Sequence, residues 1–177
     1  IKLSTLEINS KEVLLNVLIN DQNSTGHLKS IKLYKNEEYV KDLSLVDYKI
    51  TSLTSNTEYK VVAEYSYDLN DGNGEQSVND ELTFKTDKMM PELEIIESST
   101  QDSISVVVNE QDNDEAGSVE KVELYKGAVL VETKTSGYSF NDLLSNTEYK
   151  IVLTYKYNLN RSNEELKIEK VVRTTNK

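Results

Sequence analysis

Leu53-Thr54-Ser55-Asn56-Thr57-Glu58-Tyr59-Lys60-Val61-Val62-Ala63-Glu64-Tyr65-Ser66-Tyr67-Asp68-Leu69-Asn70 recurs 90 residues downstream. The second copy runs Leu143-Leu144-Ser145-Asn146-Thr147-Glu148-Tyr149-Lys150-Ile151-Val152-Leu153-Thr154-Tyr155-Lys156-Tyr157-Asn158-Leu159-Asn160, identical at twelve of eighteen positions. A match of that length marks an internal repeat, and a repeat is read before any single element. It extends outward. Ile31-Lys32-Leu33-Tyr34-Lys35 aligns with Val122-Glu123-Leu124-Tyr125-Lys126, and Leu6-Glu7-Ile8 is matched to Leu93-Glu94-Ile95. The 177 residues therefore divide into two copies, 1–88 and 89–177, meeting near Lys88. The one proline, Pro91, stands at that junction, where it holds the preceding residue extended.

Within each copy the apolar pattern has a period of two. Val13, Leu15, Val17 and Ile19 alternate with their neighbours, as do Ile104, Val106 and Val108. Tyr59, Val61, Ala63, Tyr65 and Tyr67 alternate too, and Tyr149, Ile151, Leu153, Tyr155 and Tyr157 repeat them. Such alternation puts one face of a strand on a core. Asp71-Gly72-Asn73-Gly74 supplies residues that tolerate positive φ, and a tight hairpin is expected there. No segment has helical spacing. Short strands punctuated by turns predict an all-β sandwich or barrel.

The repeated block resembles the corner between strands E and F of fibronectin type III domains. In that pattern Leu is followed by Thr four residues on and Tyr six residues on. Leu53, Thr57 and Tyr59 hold those places in the first copy, and Leu143, Thr147 and Tyr149 in the second. The resemblance implies two tandem seven-stranded immunoglobulin-like β-sandwiches, with strands A, B, C, C′, E, F and G in each. It also implies a tyrosine corner: the ring packs on the core and the hydroxyl bonds to backbone in the preceding loop. Ser55-Asn56 and Ser145-Asn146 depart from the family's preferred Pro-Gly, and there is neither a tryptophan for strand B nor an Arg-Gly-Asp tripeptide. Integrin binding is therefore not carried over.

Charge and composition narrow the function. The net charge of −11 is shared by the copies, −5 for 1–88 and −6 for 89–177, so the chain repels phosphate backbones and anionic lipid. Nucleic acid is not expected as a partner, and no stretch is long and apolar enough for membrane insertion. Cysteine is absent, so disulfides and thiolate metal sites are excluded.

Catalysis lacks its parts. The single histidine, His27, is expected in the loop between strands B and C, and the second copy has none to repeat its chemistry. Gly72 and Gly74 lack the Lys-Ser/Thr that completes a phosphate-binding loop. Calcium is the one ligand for which candidates stand out, because it takes hard oxygen donors. Asp68 and Asp71 lie in a segment resembling a calcium loop, except that Gly72 occupies the fifth position. Asp112 and Asp114 crowd the B–C loop of the second copy, at the pole that the fold shares with the F–G loop. The repeated strand F tyrosines read as core, whereas Tyr34 and Tyr125 have the parity of outward residues.

The expectation is a non-catalytic spacer of a larger bacterial protein, extracellular or at the cell surface. Its partners would be neighbouring domains, a protein or a glycan. A binding module working through the B–C and F–G loops is the alternative; accessory domains of an extracellular enzyme or a phage tail protein come third. The short junction and Pro91 lead to an elongated arrangement, with Met89 or Met90 partly buried at the joint.

Overall fold

The computed structural model describes residues 1–177, which divide into two compact units, Ile1–Lys88 and Met89–Lys177. Neither contains a helix. The first unit has seven strands: β1 (Lys2–Ile8), β2 (Val13–Leu18), β3 (Gly26–Lys35), β4 (Glu38–Asp42), β5 (Lys49–Ile50), β6 (Glu58–Tyr67) and β7 (Gln76–Lys85). The second repeats them as β8 (Glu92–Ser99), β9 (Ile104–Gln111), β10 (Gly117–Lys126), β11 (Val129–Lys134), β12 (Ser139–Phe140), β13 (Glu148–Asn158) and β14 (Asn163–Arg173).

Each unit folds these strands into two antiparallel sheets. The first unit has a three-stranded sheet β1-β2-β5 and a four-stranded sheet β4-β3-β6-β7; the second has β8-β9-β12 and β11-β10-β13-β14. The two-residue period of the sequence becomes a dry seam between them. In the first unit Leu3, Val13, Leu15 and Ile50 of one sheet meet Ile31, Leu33, Tyr59, Val61, Ala63 and Phe84 of the other. Ile95, Ile104, Val106 and Phe140 face Val122, Leu124, Tyr149, Ile151, Leu153 and Val172 in the second. Fully burying one such large side chain stabilises the fold by about 1.5–3 kcal/mol, so ten or more per unit supply the main driving force. Of the tyrosines of β6 and β13, Tyr59, Tyr65, Tyr149 and Tyr155 are buried, whereas Tyr67 and Tyr157 near the strand ends are only half-buried.

The structure corrects the repeat alignment at the first strand. Leu3 is opposite Val17 in β2, and Ile95 is opposite Val108 in β9, so Leu3 and Ile95 are the equivalent core residues. Leu6 is 61% exposed, and the register shifts between Thr5 and Glu7. The match of Leu6-Glu7-Ile8 to Leu93-Glu94-Ile95 was three residues of coincidence that burial does not support.

Two loops also differ from expectation. Asp68–Glu75 connects β6 to β7 as an eight-residue loop, with Asn70, Gly72 and Gly74 at positive φ, and not as a tight two-residue hairpin. His27 lies in β3, directly opposite Ser66 of β6, because the ladder starts at Gly26.

Candidate functional site

Two polar devices recur in both units, and both tie side chains to backbone. The first is at the loop entering β6 and β13. Tyr59 is buried, and the Thr54 N–H donates to its Oη at 2.9 Å; the Leu144 N–H donates to Tyr149 Oη at 3.0 Å. Thr57 Oγ1 donates to Ser55 O (2.7 Å), and Thr147 Oγ1 to Ser145 O (2.8 Å), which closes the turn. Asn56 and Asn146 take φ of 49° and 45°, the left-handed region that asparagine tolerates better than most side chains. That accounts for asparagine where the fibronectin pattern favours glycine. Leu53 and Leu143 are buried beneath the turn.

A threonine at the far end of the last strand completes this corner. Thr86 is wholly buried: the Thr57 N–H donates to its Oγ1 (2.9 Å), which itself donates to Thr54 O (2.7 Å). Thr174 repeats the arrangement with the Thr147 N–H (2.9 Å) and Leu144 O (2.6 Å). Sequence reasoning missed both threonines. Their signal was the parallel between Phe84-Lys85-Thr86 and Val172-Arg173-Thr174.

Three of the corner's features are thus shared: a phenol on a backbone N–H, a threonine clip, and an asparagine turn. With the sheet orders β1-β2-β5 and β4-β3-β6-β7, and their repeat in the second unit, they decide the fold. Each unit has the fibronectin type III fold. No protein-family model matches the sequence, and no curated protein matches it. Among solved structures the chain is similar to a segment of two fibronectin type III domains from chicken tenascin. Identity is 11%, 98% of each chain is covered, and the TM-score is 0.43. It is also similar to the central fibronectin III array of RIM-binding protein, at 14% identity over 99% of this chain and 68% of that one, with a TM-score of 0.32. These likenesses concern fold alone.

The second device of the two units pins the loop that enters β3 and β10. Tyr65 Oη donates to Asp21 Oδ2 at 2.7 Å, while the Thr25 N–H reaches Asp21 Oδ1 (2.9 Å) and the Gly26 N–H reaches Oδ2 (2.8 Å). Asp112 does the same with Tyr155 Oη (2.9 Å) and the N–H groups of Ala116 (2.7 Å) and Gly117 (2.9 Å). The Tyr65 hydrogen bond, followed by the Thr25 N–H, holds the Asp21 carboxyl well below the usual carboxylate range. Burial, then the bond to Asp112, pushes the Tyr155 phenol far up. The signal in the sequence was Asp followed five residues later by Gly, in both copies.

These contacts give the carboxylates singled out for calcium other neighbours. Asp112 is the loop pin. Asp114 accepts from the Met89 N–H at 2.7 Å. Asp68 accepts from the Asn70 N–H (2.8 Å), and Asp71 from the Asn73 N–H (3.0 Å). Asp68 and Asp71 stand in one unit and Asp112 and Asp114 in the other, and no three acidic or histidine side chains gather into a group able to hold a metal ion.

Tyr34 and Tyr125 face outward on the four-stranded sheets, each with an ammonium above its ring: Lys60 Nζ at 5.7 Å and Lys150 Nζ at 5.5 Å from the centroids. Each ring thus carries a cation over one of its faces.

Replacing Tyr59 by Phe should cost about 1 kcal/mol or more, because the Thr54 N–H loses its acceptor. The Tyr149→Phe variant should lose a similar amount in the second unit. Equilibrium unfolding in denaturant reads the change; midpoints unmoved in both variants would refute the corner.

Proposed function

We propose that this chain is a non-catalytic spacer, a pair of modules that holds other parts of a larger, secreted or surface-attached bacterial protein apart. One observation carries the reading: the polar groups that pin the loops, shared by the two copies, are bonded to backbone. The phenols of Tyr59 and Tyr149, the hydroxyls of Thr86 and Thr174, and the carboxylates of Asp21 and Asp112 all hold loops to strands. Duplication has kept these ties between loops and strands. Separate cores suit a spacer, since each module can bear strain without its neighbour.

Pulling the chain end to end tests this. Two separate unfolding events are expected, each releasing roughly 300 Å of chain at about 3.4 Å per residue. One merged event would overturn it. A second reading, recognition of a protein or a glycan by the loops before β3 and after β6 of the first module, is favoured by a pocket of about 230 Å³ there, lined by Thr25, His27, Ser66, Tyr67, Asp68 and Glu75.

A further inference from the structure

Asn73-Gly74 is the one Asn-Gly step in the chain, and it falls in the eight-residue loop between β6 and β7. An asparagine whose side-chain carbonyl carbon comes within reach of the next backbone nitrogen can close an imide ring and expel ammonia. Glycine is the least obstructive owner of that nitrogen, because it has no Cβ and turns through the widest range of φ. Asn73 and Gly74 are both exposed. The Gly74 N–H is uncommitted: the ladder of β6 and β7 ends at the Tyr67–Gln76 pair, and no turn bond takes that donor. Gly74 has a φ of 75°, and a Cβ built on it would meet nothing within 4 Å, so no packing resists its rotation. The Asn73 side chain makes one contact, from Nδ2 to Asp71 Oδ2 at 3.0 Å. That bond is exposed, and water readily replaces it.

At comparable steps one of these conditions fails. Asn56 and Asn146 precede Thr57 and Thr147, whose N–H groups donate to Thr86 and Thr174 Oγ1 at 2.9 Å. In the corresponding loop of the second unit, between β13 and β14, Asn160 is followed by Arg161, so a long side chain stands beside the nitrogen. Asp71-Gly72 has the glycine. There the Asn73 N–H, then its side-chain amide, hold the Asp71 carboxyl below its usual range, and an ionised carboxylate has no leaving group.

We propose that Asn73 is a site of spontaneous covalent modification, by which the first unit ages and the second does not. The Gly74 nitrogen gives its proton to hydroxide and bonds to Asn73 Cγ. The Cγ–Nδ2 bond breaks, and Nδ2 leaves as ammonia with a proton taken from water, which restores the hydroxide. Water then opens the imide. Cleavage of the new Cγ–N bond leaves aspartate; cleavage of the original peptide C–N bond leaves isoaspartate, with the main chain rerouted through Cβ and Cγ. Water is the only co-reactant, and nothing is oxidised or reduced. Either product adds a carboxylate between Asp71 and Glu75 and makes the net charge of −11 one unit more negative. The loop lies outside the ladder, so the core of the first unit is untouched. The site stands apart from the spacer reading, which rests on other residues.

The test is incubation of the 177-residue chain in warm, mildly alkaline buffer, followed by proteolysis and fragment mass spectrometry. Asn73 should gain the mass difference between a hydroxyl and an amino group, at a rate at least tenfold above that of Asn70, Asn79, Asn158 or Asn160. The rate should rise with pH, because the Gly74 nitrogen must lose its proton. Asn73→Gln, which would need a larger ring, should abolish the gain in this loop while leaving the melting curve unchanged. The same chain unfolded in urea supplies the reference rate for an unprotected Asn-Gly step. Conversion of the folded chain within a few-fold of that reference supports the open loop. A folded chain slowed tenfold or more, a gain spread evenly over the asparagines, or a gain retained in Asn73→Gln overturns the proposal.

Discussion

Gly117→Ala is expected to destabilise the second unit by about 3 kcal/mol or more, at the upper end of what overpacking costs. A Cβ added at Gly117 would lie 2.1 Å from Lys156 O and 2.7 Å from both Cα and Cβ of Tyr157. Two of these three atoms are backbone, so no rotamer change relieves the clash and β10 must move away from β13. Gly26 meets the same geometry, 2.1 Å from Ser66 O and 2.8 Å from the Tyr67 Cα. The strands approach closely there because the pinned aspartate draws in the glycine N–H: Asp112 holds Gly117 and Asp21 holds Gly26. For a module of this size 1 kcal/mol moves the melting temperature by roughly 4–8 °C. Gly117→Ala should therefore lower one calorimetric transition by 10 °C or more on that scale, and leave the transition of the first unit in place. Gly127→Ala is the contrast, because nothing lies within 4 Å of its added Cβ and only its φ of 58° opposes a side chain. A Gly117→Ala melt indistinguishable from that of the parent would show that the close approach is not a constraint.

Thr174→Val should cost roughly 2–4 kcal/mol, although it preserves the shape of the side chain. Thr174 is 2% exposed, and its hydroxyl both accepts from the Thr147 N–H and donates to Leu144 O. Valine leaves that donor and that acceptor buried without partners, and each stranded group costs about 1–3 kcal/mol. Thr174→Ser keeps the hydroxyl and loses one methyl, for about 1 kcal/mol. Denaturant unfolding of the two variants gives the comparison. Equal losses in Val and Ser would mean that packing, and not the hydroxyl, secures the corner. Thr86 should behave alike in the first unit, with Thr57 and Thr54 as the stranded partners.

The corner was legible because its residues are close in sequence. Leu53, Thr57 and Tyr59 span seven positions, and the hydroxyl bonds of Tyr59 and Thr57 stay within five. Thr86 was not legible, since its partners are 29 and 32 residues away. Asp21 and Asp112 were harder still. Their tyrosines are 44 and 43 residues distant, and a carboxylate in a loop reads as solvated until a ladder brings a phenol to it. Asp112 looked like a calcium candidate for that reason. The eight-residue loop of the first unit misled in another way: Asp71-Gly72-Asn73-Gly74 permits several turns, and the pairing of Tyr67 with Gln76 chose where the ladder ends.

The sequence by itself determined two copies, the all-β class, and the dry face over most of β2, β6, β9 and β13. Period-two alternation and a repeat of eighteen residues are one-dimensional facts that survive without coordinates. Only the tertiary structure decided what lies opposite what. Register made Leu3 the counterpart of Ile95, set Gly26 and Gly117 against a neighbouring backbone, and placed Asp68 and Glu75 beside Ser66 where the second copy has Asn158, Asn163 and Lys156. A strand's pattern says which residues point inward, but a slide of two residues leaves that pattern intact while exchanging every partner.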